Sequence, residues 1–271
     1  MNIIWALIWF LVLGFGFGLI LAYAGKIFAV KIDERIEAIV EILPAANCGG
    51  CGYTGCESFA EAVVNGKAKN GDCPVGDEDT VMKIAEIMGE DAHKLIRYRA
   101  QVMCSGTNEY AHQKYEYIGI PDCISASRLA GGSKACPNGC LGLGTCIKKC
   151  KFDAIKIING IAAVDYNKCK ACGVCAASCP KKIIKLIPFD SAHWVGCVSN
   201  DKGAVTRKNC KVGCIACRLC EKNCAPGAIK INDFVASLDY EKCTNCGECI
   251  KSCPRNIIWS NVLQDQFTSE K

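Results

Sequence analysis

The chain has 271 residues, of which 51% are hydrophobic and 22% charged, with a formal net charge of +5 and 24 cysteines. So many thiols exclude a long stay outside a reducing compartment unless they are bonded. A disulfide scaffold is normally a short secreted chain, which this is not. The length allows two domains, but the spread of cysteines predicts several small metal-held modules instead, because bound metal replaces core that a short module cannot build.

Ile3 to Ala24 holds no charged residue over 22 positions, enough to span a bilayer as a helix. A signal peptide is the rival, and Ala22-Tyr23-Ala24 imitates a cleavage site. No Lys or Arg precedes the run, however, and export would carry the thiols out of the cytoplasm. The expectation is a retained, single-pass anchor over 1–25. Lys26, Lys31 and Arg35 follow it, which predicts that the C-terminal bulk lies on the cytoplasmic side of the membrane. Gly14, Gly18 and Ala22 form a smooth face to which a partner helix could approach closely.

A juxtamembrane helix is expected over 26–46, continuing the anchor, with Ile27, Val30, Ile32, Ile36, Ile39, Val40 and Leu43 on its apolar side and Pro44 as its stop. An N-terminal 4Fe-4S domain follows over 47–92, on Cys48-x2-Cys51-x4-Cys56-x16-Cys73. Gly49, Gly50, Gly52 and Gly55 permit the tight turns between its first three thiols. A helix over Glu57–Val64 brings the fourth ligand back, and another, capped by Asp77, Asp79 or Thr80, runs through Met82, Ile84, Ile87 and Met88. A connector is expected over 93–122.

The remainder is duplicated at an offset of 74 residues. Cys123, Cys136, Cys140, Cys146 and Cys150 correspond to Cys197, Cys210, Cys214, Cys220 and Cys224. Cys169, Cys172, Cys175 and Cys179 correspond to Cys243, Cys246, Cys249 and Cys253. The expected repeats span 123–196 and 197–271. Each reads as a cysteine loop, a strand, a turn (Asn159-Gly160 in the first), a strand and a second cysteine loop, an α+β plan. The runs Cys169-x2-Cys172-x2-Cys175-x3-Cys179-Pro180 and Cys243-x2-Cys246-x2-Cys249-x3-Cys253-Pro254 have bacterial ferredoxin spacing, in which the last cysteine serves the other of two clusters. Structural zinc has no use for a third cysteine two residues on.

That rule assigns Cys214, Cys217, Cys220 and Cys253 to one cluster and Cys224, Cys243, Cys246 and Cys249 to another. In the first repeat it joins Cys150 to Cys169, Cys172 and Cys175. Leu143 stands where Cys217 stands, so the fourth cubane lacks its middle ligand. Cys136 is the nearest substitute, giving Cys136, Cys140, Cys146 and Cys179. Cys104, Cys123, Cys197 and Cys210 remain, either as a sixth cluster or as buried free thiols. Cys104 and Cys197 both follow valine-containing, strand-like segments. Six cubanes at about −2 each would make the loaded chain net acidic, so the lysines read as compensation rather than as a nucleic-acid surface.

No dinucleotide fingerprint, phosphate loop or acid–base pair is visible, and His93, His112 and His193 are scattered. The chain is expected to carry electrons and to make no bonds itself.

The anchor, the x2-x4-x16 cysteine module and the ferredoxin runs together resemble the B subunit of the Rnf electron-transport complex, over nearly the whole chain and in a long form with the ferredoxin pair duplicated. The resemblance implies a complex that oxidises reduced ferredoxin, reduces NAD⁺ and drives Na⁺ or H⁺ across the membrane, so an ion-translocating oxidoreductase. This subunit would take electrons from ferredoxin and relay them to membrane partners, with flavins, NAD site and ion path on other chains. Lys148, Lys149, Lys151, Lys181, Lys182, Arg207, Lys208 and Lys211 would steer an acidic donor. The competing readings are a membrane-anchored polyferredoxin serving a hydrogenase or dehydrogenase without pumping, and a redox-sensing or zinc-scaffold protein.

Overall fold

The computed structural model describes residues 2–27, 33–93 and 96–260. Helix α1 (Asn2–Ile27) is long and apolar enough to cross a membrane, and none of its hydrophobic window is covered by the rest of the chain. A Cβ added at Gly14 or Gly18 would meet nothing within 4 Å, so the smooth face is open. Val30, Lys31 and Ile32 lie outside the described residues. Helix α2 (Glu34–Ile42) starts afresh rather than continuing the anchor. Asp33 is extended, and its carboxylate accepts from Arg35 N at 3.0 Å, capping the new helix.

Helices α3 (Cys56–Val64) and α4 (Glu78–Met88) pack with α2 around Ile39, Phe59, Ala60, Val63 and Ile84. Asp77 caps α4 through Thr80 N at 2.9 Å, and Gly89 closes it in the left-handed region. Buried Asn70 accepts from His93 N and donates to Asp91 O, tying down the end of this module. Phe59 is 1% exposed and stacks edge-on against Tyr53, so Phe59→Ala would cost about 3–5 kcal/mol.

Beyond it the chain builds the same arrangement twice. In the first half, β1 (Tyr98–Val102) is followed by α5 (Cys123–Arg128), α6 (Thr145–Lys149), the hairpin β2 (Ile155–Ile158) and β3 (Ile161–Val164), α7 (Val174–Ser178) and β4 (Ile184–Pro188). β1 pairs antiparallel with β4, Val102 opposite Ile184, around the β2–β3 hairpin. Asn159 and Gly160 both take positive φ, the turn that suits a two-residue hairpin. In the second half β5 (His193–Val195) is followed by α8 (Gly203–Asn209), α9 (Leu219–Lys222), β6 (Ile229–Asn232), β7 (Val235–Leu238), α10 (Glu248–Lys251) and β8 (Ile258–Ser260). There β5 pairs with β8 and β6 with β7.

The pairing moves the edges of the halves. β1 lies inside the expected connector, and β5 lies before residue 197 yet pairs with the second half. An outer strand precedes the first cysteine of each half, so the cysteine repeat marks the boundary too late. Ala100, Ile155, Val164, Ile183 and Ile184 form the first core, and Val195, Ile229, Ala236, Ile257 and Ile258 the second. Alternating inward residues on four short strands could not bury enough apolar surface to fold by themselves, and buried cysteines complete both cores.

The halves meet where β1 and β5 end. Ser105 N donates to Gly196 O at 2.9 Å, and Trp259 Nε1 donates to Ser105 Oγ at 2.6 Å. The buried Arg99 guanidinium lies 4.0 Å from the Tyr166 ring centroid and 5.4 Å from that of Trp194, and donates to Ser191 O. The N-terminal module docks on the first half. Lys151 Nζ donates to Ala46 O and Asn47 O at 3.0 Å each, and a Cβ at Gly50 would stand 2.8 Å from Cys172 O.

Candidate metal centres

All 24 cysteines are free thiols. Among the described residues no three His, Cys, Asp or Glu side chains converge closely enough for a single ion. The cysteines instead stand around small cavities, a spread that suits a multi-iron core and not tetrahedral zinc. Cys48, Cys51, Cys56 and Cys73 line one such cavity, closed by Leu43 and Phe59. The Asn47 side chain accepts from Cys56 N at 2.8 Å and fixes the loop at the start of α3. Cys150, Cys169, Cys172 and Cys175 line a second cavity, and Ala100 N on β1 donates to Cys169 Sγ at 3.4 Å.

The second half brings two further sets together. Burial, and then the neighbouring sulfurs of Cys253, Cys214 and Cys217, pushes Cys220 up to about 12. Burial, with Cys243, Cys224 and Cys246 close by, pushes Cys249 up to about 11. Thiols so placed resist ionising together. The positive charge of iron is what lets four thiolates share one cavity.

Cys123 and Cys136 exchange the places expected of them. Cys136 lines a cavity with Cys104, Cys197 and Cys210, at the seam between the halves, instead of joining Cys140 and Cys146. Burial, then the Cys104 and Cys210 sulfurs, raises its thiol above the ordinary value. Cys123 comes instead to Cys146, which burial and the Cys123 and Cys179 sulfurs push up to about 11. Hydrogen bonding explains the exchange. Cys123 N donates to Thr145 Oγ1 at 2.7 Å, and that hydroxyl donates to Asp122 Oδ1 at 2.7 Å. Asp122 caps α5, so the helix presents Cys123 beside the residue before Cys146. The second half has Gly196 and Leu219 where these two partners stand. That difference was the available sign that Cys123 and Cys197 are not equivalent.

Neighbouring sets lie close together. Burial, and then nearby sulfurs, raise the thiols of Cys172 and Cys175, with Cys48 of the neighbouring set acting on Cys172 and Cys146 on Cys175. Cys140 N donates to Cys104 Sγ at 3.4 Å, and Cys214 N donates to Cys197 Sγ at 3.4 Å. The seam set is thus bonded alike to both halves. Cys217 and Cys246 are exposed, whereas Cys140, Cys146 and Cys175 are buried. Of the histidines, His93 contacts Asn70, and His193 contacts Asn245 O in the loop between Cys243 and Cys246.

Comparison with known proteins matches three stretches to iron–sulfur family models. The FeS model, for an Fe-S cluster domain, covers residues 43–75, a 4Fe-4S binding domain 162–185 and a 4Fe-4S dicluster domain 213–257. Over 95% of its length the chain is 44% identical to the B subunit of the Na⁺-translocating ferredoxin:NAD⁺ oxidoreductase complex of Acetobacterium woodii, covering 78% of that protein. The chain belongs to the B-subunit family of ion-translocating oxidoreductase complexes. It is 38% identical to the B subunit of the ion-translocating oxidoreductase complex of Methanosarcina acetivorans, over 91% of this chain and 94% of that one. It is also 38% identical to the B subunit of the proton-translocating ferredoxin:NAD⁺ oxidoreductase complex of Clostridium ljungdahlii, over 99% and 98%. As a B subunit it carries 4Fe-4S clusters, transfers electrons and works with the other subunits of a membrane-associated complex. None of the three family-model spans reaches Cys104, Cys123, Cys136, Cys197 or Cys210.

Proposed function

We propose that this protein takes electrons from reduced ferredoxin on the cytoplasmic side and passes them, through six 4Fe-4S clusters, to membrane partners of an Rnf-type ferredoxin:NAD⁺ oxidoreductase. Residues 98–188 and 193–260 read as tandem two-cluster ferredoxin modules, and α1 as the anchor. The names of the Acetobacterium and Clostridium relatives support ferredoxin and NAD⁺ as the redox partners. Lys26 and Arg35 after the apolar run support the sidedness. The ligand sets are Cys48, Cys51, Cys56 and Cys73; Cys150, Cys169, Cys172 and Cys175; and Cys123, Cys140, Cys146 and Cys179. The seam set follows, Cys104, Cys136, Cys197 and Cys210, then Cys214, Cys217, Cys220 and Cys253, and Cys224, Cys243, Cys246 and Cys249. Each cluster supplies a one-electron carrier when bound.

The observation that carries this reading is the single file of the sets. Sulfur proximity or an N–H···S bond joins the first five in order, from the module next to the anchor to the set of exposed Cys217, and α9 packs on α10 to bring the set of exposed Cys246 beside it. The protein's own residues keep the sets apart but adjacent, exclude water from the middle ones, and aim backbone N–H groups at their sulfurs. Three lysines expected to steer a donor are already committed. Lys148 donates to Pro121 O, Lys151 to Ala46 O and Asn47 O, and Lys181 to Gly131 O and Pro137 O. Donor docking therefore falls to the surface around Cys217 and Cys246. In the purified complex, Cys136→Ser should leave the second half reducible by ferredoxin while the N-terminal module stays oxidised. Full reduction of that module at the parent rate would refute the single file.

A further inference from the structure

Lys134 is 1% exposed, and its Nζ donates to Gly106 O at 2.7 Å and Gly160 O at 3.1 Å. None of the five ion pairs among the described residues involves it. Its two acceptors place it at the seam. Gly106 is so close to the seam sulfurs that a Cβ there would stand 3.4 Å from Cys210 Sγ and 3.7 Å from Cys104 Sγ. Its stem runs beside Gly139, within the Cys136–Cys140 loop. Lys134 acts on the thiols of both Cys140 and Cys210, so it stands between the seam set and its neighbour in the first half. Arg255 donates to Cys210 O at 2.8 Å and Gly213 O at 3.3 Å, and its charge also reaches the Cys210 sulfur.

A buried ammonium is retained where opposite charge balances it. Here that charge comes from four thiolates around iron. Each electron added at the seam is negative charge placed beside two fixed cations in a water-poor interior, where the attraction is strong. We propose that Lys134 and Arg255 set the reduction potential of the seam, holding it above the potentials of the sets on either side so that an electron crossing between the halves comes to rest there. This rests on the ligand sets proposed above. In the crossing, one set in the second half is oxidised by one electron and the seam set is reduced by the same electron, with no bond made or broken. Lys134 acts on the seam and on the set of Cys140, and Arg255, bonded to Gly213 O beside Cys214, acts on the seam and on the set of Cys214, so the seam alone lies beside both cations.

The test is an EPR-monitored redox titration of the full complex carrying Lys134→Met, Lys134→Arg or Arg255→Gln, with iron counted in each sample. Lys134→Met should lower the potential of two signals, by a tenfold change in the oxidised-to-reduced ratio at fixed poise, about 59 mV for one electron. Lys134→Arg should restore both signals, and Arg255→Gln should move the seam signal together with a different second one. Unchanged potentials in an iron-replete Lys134→Met complex, or an equal shift of every signal, would overturn the proposal. If Lys134→Met does not load iron, Arg255→Gln decides, and an unmoved seam signal overturns it. Parent complex holding about 20 iron per chain in place of about 24 would instead refute the sixth ligand set.

Discussion

The two halves share their strand plan and nine aligned cysteines, yet they differ in which cysteine completes one group of sulfurs and in what covers it. The second half keeps its middle cysteine in the run, at Cys217, and leaves it exposed. The first half has Leu143 there and draws Cys123 from a separate capped helix. The first half is also covered by the N-terminal module at Cys172, while Cys246, its counterpart, is open to solvent. A duplicated fold has thus been given an interior copy and a terminal copy. A cysteine drawn from outside the run lets the loop be buried, and one kept within it leaves that edge open to solvent.

The largest expected effect is loss of a whole cluster. Cys123→Ser and Cys136→Ser should each remove about four iron per chain, and the double variant about eight, because the two belong to different sets. A double variant that loses only four, by iron analysis and visible absorption, would return both to one set. Cys217→Ser should also remove about four, with no rescue by Cys210, which is held at the seam.

The next effect concerns the joint that only the first half has. Gly50→Ala would drive a Cβ against the Cys172 backbone and Pro74, and should cost about 1–3 kcal/mol of docking stability. Limited proteolysis between the module and the halves should then speed up, and the equivalent surface at Cys246 should be indifferent. Asp122→Ala should act more weakly. It removes the α5 cap and the Thr145 link, so the Cys123 set should lose iron to a chelator a few-fold faster while the Cys217 set does not change. The Thr145 hydroxyl and the Ser125 N–H hold the Asp122 carboxyl below its usual 3.8. Its contribution is therefore present above that value and is lost as pH falls through the lower folded one. Parent and variant should converge only in acid.

The smallest effect belongs to the exposed end. Lys251 and Glu248 pair at 2.8 Å beside Cys249, both largely exposed. Lys251→Gln should leave iron content and thermal midpoint unchanged and alter only the salt dependence of reduction by ferredoxin, followed by stopped flow. An effect as large from Lys151→Gln would restore the first half as the donor face.

The cysteine runs, the anchor helix, α3, α4 and both hairpins were legible because each rests on local chemistry, whether thiol spacing, apolar period, an Asp cap or an Asn-Gly turn. The outer strands were not, since β1 finds its partner 82 to 90 residues away and β5 is only three residues long. The exchange of Cys123 and Cys136 was hidden by the regular offset, which treats both as counterparts of second-half cysteines. What separates them is a hydroxyl at Thr145 and a carboxylate at Asp122, neither of which belongs to the cysteine pattern. Lys134 was equally silent, an ordinary lysine until the fold encloses it.

The contact at Gly50 also decides what kind of joint the N-terminal module makes. Backbone rests on backbone there, and Lys151 clasps two carbonyl oxygens from the other side. Such a joint cannot serve as a swinging arm that ferries charge by diffusion. The gap between Cys48 and Cys172 is fixed when the chain folds, so the transfer across it should be insensitive to the viscosity of the medium.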